Sequence, residues 1–297
     1  MKTWLNSYED TDFFEGVSGI KKYDAIFVDE VQDFTNEWLR IINDYFLKEN
    51  GEFVVFGDPK QNIYGRELNK LGEINLGVIG GVWNKTLQTS HRLTNQTLSR
   101  AAIAFQRHFM SEFENDGLTI ADNQQPTLDF NPLQYIYVGS SVSHEDIWKS
   151  CASVLSNEDS HKGFAILANS RDLLRDIDYY YRKGTGRDTT ITFVRKEDFE
   201  DIEHRQYRYD FQAQQDLEAL ESVAKKTFTT ATPSLKLSTI HSFKGWETDK
   251  LILIIGPNDG NALTSPALFY TALTRAKEEI CVINIGNSMF HKFFNEL

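Results

Sequence analysis

The sequence predicts two α/β domains built on parallel sheets. Short apolar runs that end in polar residues recur along it, as in AIFVDE, FAILA and KLILII, the pattern of strands buried on both faces. Stretches with helical spacing alternate with these runs, which marks strand–helix–strand units. The length of 297 residues accommodates about two domains at roughly 100–200 residues each.

Taken in order, 24–30 (DAIFVDE) reads as a buried strand ending in carboxylates. A helix is expected over 35–50, with Trp38, Leu39, Ile41, Ile42, Tyr45 and Phe46 at helical spacing, Thr35 as N-cap and Gly51 as stop. A second strand follows at 52–58 and a helix at 94–110. The polar stretch 111–133, holding Pro126 and Pro132, is the candidate linker. Beyond it, strands are expected at 134–138, 164–168, 191–194, 235–240, 250–255 and 278–285, and helices at 170–183, 210–226 and near 266–276. The expected domains are therefore 1–125 and 126–297.

Composition narrows the function classes. A hydrophobic fraction of 40% and an aromatic fraction of 13% fill real cores, which excludes global disorder. No apolar run approaches the ~18 residues of a membrane helix. The opening MKTWLNSYED has no apolar segment of the secretory kind, so no membrane partner and a cytoplasmic location are expected. Cys151 and Cys281 stand far apart, which fits a reducing compartment and excludes a cysteine zinc site. The net charge of −12 argues against a protein that coats nucleic acid with a basic surface, but not against a local grip.

Five segments carry chemistry. Asp29-Glu30-Val31-Gln32-Asp33 stands at the carboxyl end of a strand, where ligand sites of open α/β sheets lie. A carboxylate there suits Mg²⁺, and a second beside it suits the orientation of a water for attack on a γ-phosphate. Gly57-Asp58-Pro59-Lys60-Gln61-Asn62-Ile63-Tyr64-Gly65 is a turn at the end of the next strand, with Asp58 and Gln61 directed to the same edge. Ser90-His91-Arg92 offers a phosphate-binding arginine. Ser238-Thr239-Ile240-His241-Ser242-Phe243-Lys244-Gly245-Trp246-Glu247 lies between two strands, and Tyr270-Thr271-Ala272-Leu273-Thr274-Arg275-Ala276-Lys277 ends a helix.

In this order the five segments resemble motifs II, III, IV, V and VI of the UvrD/Rep-like superfamily 1 DNA helicases. The resemblance implies two RecA-like domains of the P-loop NTPase type, with ATP and Mg²⁺ as cofactors and single-stranded DNA, or a single-strand/duplex junction, as partner. It implies that Asp29 holds the metal and Glu30 activates water. Gln61 would sense the γ-phosphate, and Arg92 and Arg275 would reach it from opposite sides. Glu247 would bind the ribose, and Lys244-Gly245 would shape the motif V turn. Tyr64, Thr239 and His241 would lie along the DNA. Arg66 stands about where family members place a base-stacking Trp, and its guanidinium plane stacks more weakly.

One element of the family is not in the sequence. No G-x-x-x-x-G-K-[ST] phosphate loop occurs; Gly80-Gly81-Val82-Trp83-Asn84-Lys85-Thr86 fails because no Gly precedes Lys85. The resemblance therefore implies the later part of a longer helicase, with the first RecA-like domain N-terminally incomplete and a missing motor segment as partner. The expected activity is ATP-dependent 3′-to-5′ translocation in DNA repair or recombination, with negligible hydrolysis by these residues alone. The alternative is a non-catalytic helicase-like module that binds DNA or protein. Between Arg92 and His241 little length remains for an accessory insertion in the second domain, which is expected to be absent or confined to about 195–233.

Overall fold

The computed structural model describes residues 14–69, 72–81, 83, 89–90, 95–113, 119–120, 132–156, 161–206, 210–257 and 265–296. They form two units, Met1–Gln88 with Glu112–Asp116, and Thr89–Ser111 with Gly117–Leu297. Arg92 and most of the expected linker lie outside the described residues.

In the first unit, β1 (Tyr23–Val28) pairs in parallel with β2 (Leu47–Val55). Ile26 and Val28 of β1 and Phe53 and Val55 of β2 line one face, against Val31, Leu39, Ile74 and Leu76. The connection begins as expected, with Thr35 Oγ1 accepting the Trp38 N–H at 3.2 Å to cap α1 (Asn36–Ile41). It then departs from the expectation of one helix over 35–50. A π-turn spans Ile42–Phe46, and 47–50 already belong to β2. Gly51 is therefore a strand residue and not a helix stop. A Cβ there would stand 2.8 Å from Leu47 Cδ1 and 3.0 Å from the Asp24 carbonyl oxygen. Pairing with β1 supplies ladder hydrogen bonds that the weak end of an amphipathic helix does not match.

The second unit holds a six-stranded parallel sheet of β5 (Leu133–Tyr137), β6 (Phe164–Ala168), β7 (Thr189–Ile191), β8 (Leu235–Thr239), β9 (Thr248–Ile255) and β10 (Ala276–Asn284). Its strand order is β5-β10-β9-β6-β8-β7. A separate two-residue pair joins β3 (Thr89–Ser90) to β4 (Thr119–Ile120). All five residues of β6 and of β8 are buried, as a central strand covered on both faces requires. Helices α3 (His144–Leu155) and α4 (Arg171–Thr185) bring Ile147, Cys151, Leu155, Leu174 and Ile177 to one core, capped by Ser143 and Ser170. Within α4, Tyr181 is buried while Tyr179 and Tyr180 are half-buried. Helices α5 (Lys196–Gln206) and α6 (Asp210–Thr227) occupy the connection from β7 to β8. Helix α7 (Ile240–Phe243) is a single turn, and α8 (Pro266–Leu273) and α9 (Ser288–Glu296) complete the set among the described residues.

Helix α2 (Gln96–Phe109), which lies within the expected first domain 1–125, groups with the second unit. Its Phe105 ring lies 5.1 Å from Phe269, 5.3 Å from Phe290 and 6.4 Å from Phe294. Asn95 caps it through the Thr97 and Leu98 N–H groups and donates to the Glu278 carbonyl at 3.3 Å. The apolar stripe of α2 finds its partners in α8 and α9, which no local signal in 94–110 reveals.

Candidate functional site

The first unit places two of the motifs side by side. The β1 strand delivers Asp29, exposed, and Glu30, half-buried, at its carboxyl end. The Glu30 backbone is left-handed, with φ 52° and ψ 41°, and it is the only non-glycine residue with positive φ among those described. That conformation disfavours a side chain with a Cβ and persists only where the surroundings over-determine it. Here the Glu30 N–H bonds Asp29 Oδ1 at 2.9 Å, and the chain continues into a 3₁₀ turn, Val31–Asp33. The turn is pinned to the neighbouring strand end by the Val31 N–H to the Phe56 carbonyl at 2.9 Å and the Phe56 N–H to the Val28 carbonyl at 2.8 Å.

Gln32 is fully buried and joins the two motifs. Its Nε2 donates to Glu30 Oε2, and its Oε1 accepts the Asp58 N–H at 3.1 Å. Asp58 in turn caps the turn Pro59–Gln61, accepting the Lys60 N–H at 3.1 Å on Oδ1 and Gln61 Nε2 at 2.9 Å on Oδ2. A continuous relay therefore runs Glu30–Gln32–Asp58–Gln61. Gly57 makes it possible: a Cβ there would lie 2.8 Å from Gln32 Oε1 and 2.8 Å from Val31 Cγ1. Gln32 was not among the residues expected to matter. Only the 3₁₀ turn brings a residue two beyond Glu30 back onto its carboxylate.

Tyr64 and Arg66 stand on the loop that follows. Tyr64 is about half exposed; partial desolvation pushes its hydroxyl up, the Asp33 carboxylate adds to this, and Arg66 opposes it. The Arg66 guanidinium lies over the Trp38 ring at 5.9 Å, and its Nε donates to the Asp33 carbonyl at 3.3 Å. Asn62 closes the loop, with its Oδ1 accepting the Arg66 N–H at 2.8 Å and its Nδ2 donating to the Arg66 carbonyl at 2.7 Å.

In the second unit, Thr239 ends β8 and its Oγ1 accepts the Ser242 N–H at 3.2 Å, capping α7. His241 lies on α7 and is half-buried. Gly245, at φ 87°, turns the chain toward β9. Thr239 is level with Ala168 at the carboxyl end of β6, whereas Lys250 is level with Phe164 at its amino end. Thr239 and Glu247 are thus at opposite ends of the strands, roughly 20 Å apart along them. At the amino end the two later motifs are clasped. The Thr248 N–H bonds the Arg275 carbonyl at 3.0 Å, and the Glu247 carboxylate pairs with Lys277 Nζ at 3.2 Å. Arg275 is 1% exposed, with Nε donating to the Thr271 carbonyl at 3.1 Å. Glu247 and Arg275 therefore depart from the rule that ligand sites lie off carboxyl strand ends.

The residues of the first unit fit a metal–phosphate ligand in part. Asp29 presents an exposed carboxylate at a strand end, of the kind that holds Mg²⁺ with waters and phosphate oxygens. No cluster of three or more His, Cys, Asp or Glu residues with metal-binding geometry occurs among the described residues. No described helix is long and apolar enough to cross a membrane.

Comparison with known proteins adds independent information. Residues 17–75 match the family model of the UvrD/REP helicase N-terminal domain. Residues 175–284 match that of the viral superfamily 1 RNA helicase core domain. Among solved structures, the C-terminal domain of a possible DNA helicase from Lactobacillus plantarum WCFS1 is 12% identical, with a TM-score of 0.37. The match covers 67% of this chain and 89% of that one, a likeness too distant to carry an argument. No curated protein matches the chain.

Proposed function

The chain belongs to the UvrD/Rep-like superfamily 1 helicases, and from that premise we propose that it is the part of an ATP-dependent DNA translocase that senses nucleotide and grips single-stranded DNA. The observation that carries this reading is the relay Glu30–Gln32–Asp58–Gln61, which ties a water-orienting carboxylate to an amide suited to a γ-phosphate. Asp29 would hold Mg²⁺, and Gln61, Arg92 and Arg275 would meet the phosphates. Glu247 would bind the ribose, and Gly245 would give the turn beside it its shape. Tyr64, Arg66, Thr239 and His241 would line the DNA. Mg²⁺ bound with ATP supplies charge neutralisation at the phosphates; Glu30, held by Gln32, orients water; and Gln61 reports the state of the site through Asp58.

The sequence contains no phosphate loop, so hydrolysis needs a segment that brings one. Translocation from 3′ to 5′ and a role in repair or recombination follow the family resemblance alone. The second reading, a non-catalytic nucleic-acid-binding module, is favoured by the same lack of a phosphate loop.

The test is binding of a fluorescent oligothymidylate to the full chain, with the RNA equivalent alongside, together with ATP hydrolysis with and without the strand. The expected result is DNA binding that weakens with salt, and no hydrolysis by the chain alone. Absence of DNA binding at low salt overturns the reading, and preference for RNA overturns the choice of DNA. Strand-stimulated hydrolysis overturns the need for a further segment.

A further inference from the structure

The motif V turn carries an aromatic side chain that the reading above leaves without a role. Trp246 sits between Gly245 and Glu247 and is 36% exposed. Trp83 and Trp148, by contrast, pack against the cores of their units. The Trp246 ring is braced. Phe228 meets it edge-on at 5.5 Å and 77°, and Phe228, itself buried, meets fully buried Phe243 at 6.1 Å and 77°. The backbone is held on both sides. The Trp246 N–H bonds the Phe243 carbonyl at 3.0 Å, and Thr248 bonds the Arg275 carbonyl. The adjacent Gly245 is itself uncrowded, since a Cβ there would meet nothing within 4 Å apart from its chain neighbours. The adjoining Glu247–Lys277 pair supplies polar groups of both signs at the rim.

We propose that Trp246 is a stacking platform for a nucleobase. Resting on the motor reading above, the inference names a contact that reading does not contain. An exposed indole fixed by buried aromatics has lost its conformational entropy in advance, so a base placed on it gains stacking without the cost of ordering the side chain. Every base presents a π-face, so such a platform tolerates any sequence. In the first unit, by contrast, Arg66 is engaged with Trp38 and the Asp33 carbonyl. The base is supplied either by a single strand or by a mononucleotide.

The test is the intrinsic fluorescence of the full chain, titrated separately with an oligothymidylate of about 15 nucleotides and with ATP. Wild type is compared with Trp246→Leu and Trp246→Phe, and strand affinity is read in parallel by anisotropy. The expected result is saturable quenching in the wild type that is lost in Trp246→Leu, with affinity falling about tenfold. Trp246→Phe, which keeps an aromatic ring and the fold, is expected to stay within about threefold. Quenching by the oligonucleotide identifies the strand as the source of the base, and quenching by ATP alone identifies the mononucleotide. Wild-type affinity in Trp246→Leu overturns the platform while leaving the motor reading in place. Failure of the wild type to bind either probe overturns both.

Discussion

The buried side-chain amide of Gln32 donates to the carboxylate of Glu30, whose backbone is left-handed. The strained residue and its anchor lie two positions apart, and the 3₁₀ turn between them closes the contact. A carboxylate on a left-handed residue at a strand end would otherwise sample many directions. Gln32 restricts it, and through Asp58 the restriction reaches Gln61.

Gly57 is the point where the relay leaves no room. Gly57→Ala would place a methyl group 2.8 Å from Gln32 Oε1 and Val31 Cγ1 and 2.9 Å from Ile74 Cδ1. The expected loss is about 1–3 kcal/mol, as for overpacked cores. Urea unfolding of the variant checks it, and an unchanged midpoint would show that the strand ends relax freely.

Gln32→Leu keeps the volume and removes both hydrogen bonds. The Asp58 N–H then loses its acceptor in a half-buried position, at a cost of about 1 kcal/mol. Hydrogen exchange at the Asp58 amide is expected to accelerate more than at Val31, whose N–H bonds the Phe56 carbonyl and not Gln32. Equal changes at both amides would point to general loosening and not to the lost bond.

The two cysteines are expected to be inert. Burial pushes both thiols up, Cys281 to about 12 and Cys151 further, the neighbouring Cys281 adding to the effect at Cys151. The reactive thiolate is then scarce at pH 8. A disulfide reagent should release no colour from the native chain and react with both thiols once urea unfolds it. Rapid labelling of the native protein would contradict this burial.

Asp176 links stability to pH. Burial alone would raise its carboxyl, but Lys196 Nζ at 2.7 Å and His144 Nδ1 at 2.6 Å hold it below the ordinary carboxylate range. A depressed folded-state value means that the stabilisation is present above the unfolded value near 4 and lost as pH falls through the folded one. Lys196→Met should therefore cost about 1 kcal/mol near neutral pH, after allowance for partial exposure, and progressively less below pH about 4. A cost independent of pH would remove the ion pair as its cause.

Much of the second unit was legible in the sequence, because FAILA and LILII are apolar throughout and α4 carries its Ser170 cap in plain view. The strand expected at 191–194 falls at Thr189–Ile191, with Phe193 and Val194 buried just beyond it. Helices α3, α5, α7 and α9 were not anticipated. The aromatic residues of α9 lack a clean polar face and find their partners in α2, in α8 and in Tyr135 of β5, all distant in sequence. The expected helix over 35–50 was half right, because helical spacing up to Ile41 is local whereas the pairing of Leu47–Val55 with β1 is not.

What the residues determine by themselves is the order of the five motifs and the strand ends on which the first two stand. Short apolar strands and their polar exits are written in consecutive positions, so they survive without knowledge of the fold. Tertiary structure alone decided that Gln32 couples Glu30 to Asp58, that α2 belongs with α8 and α9, and that Glu247 and Lys277 clasp at the amino ends of β9 and β10. Each of these contacts joins groups through a turn or across a sheet, where geometry in space and not spacing along the chain sets the distance.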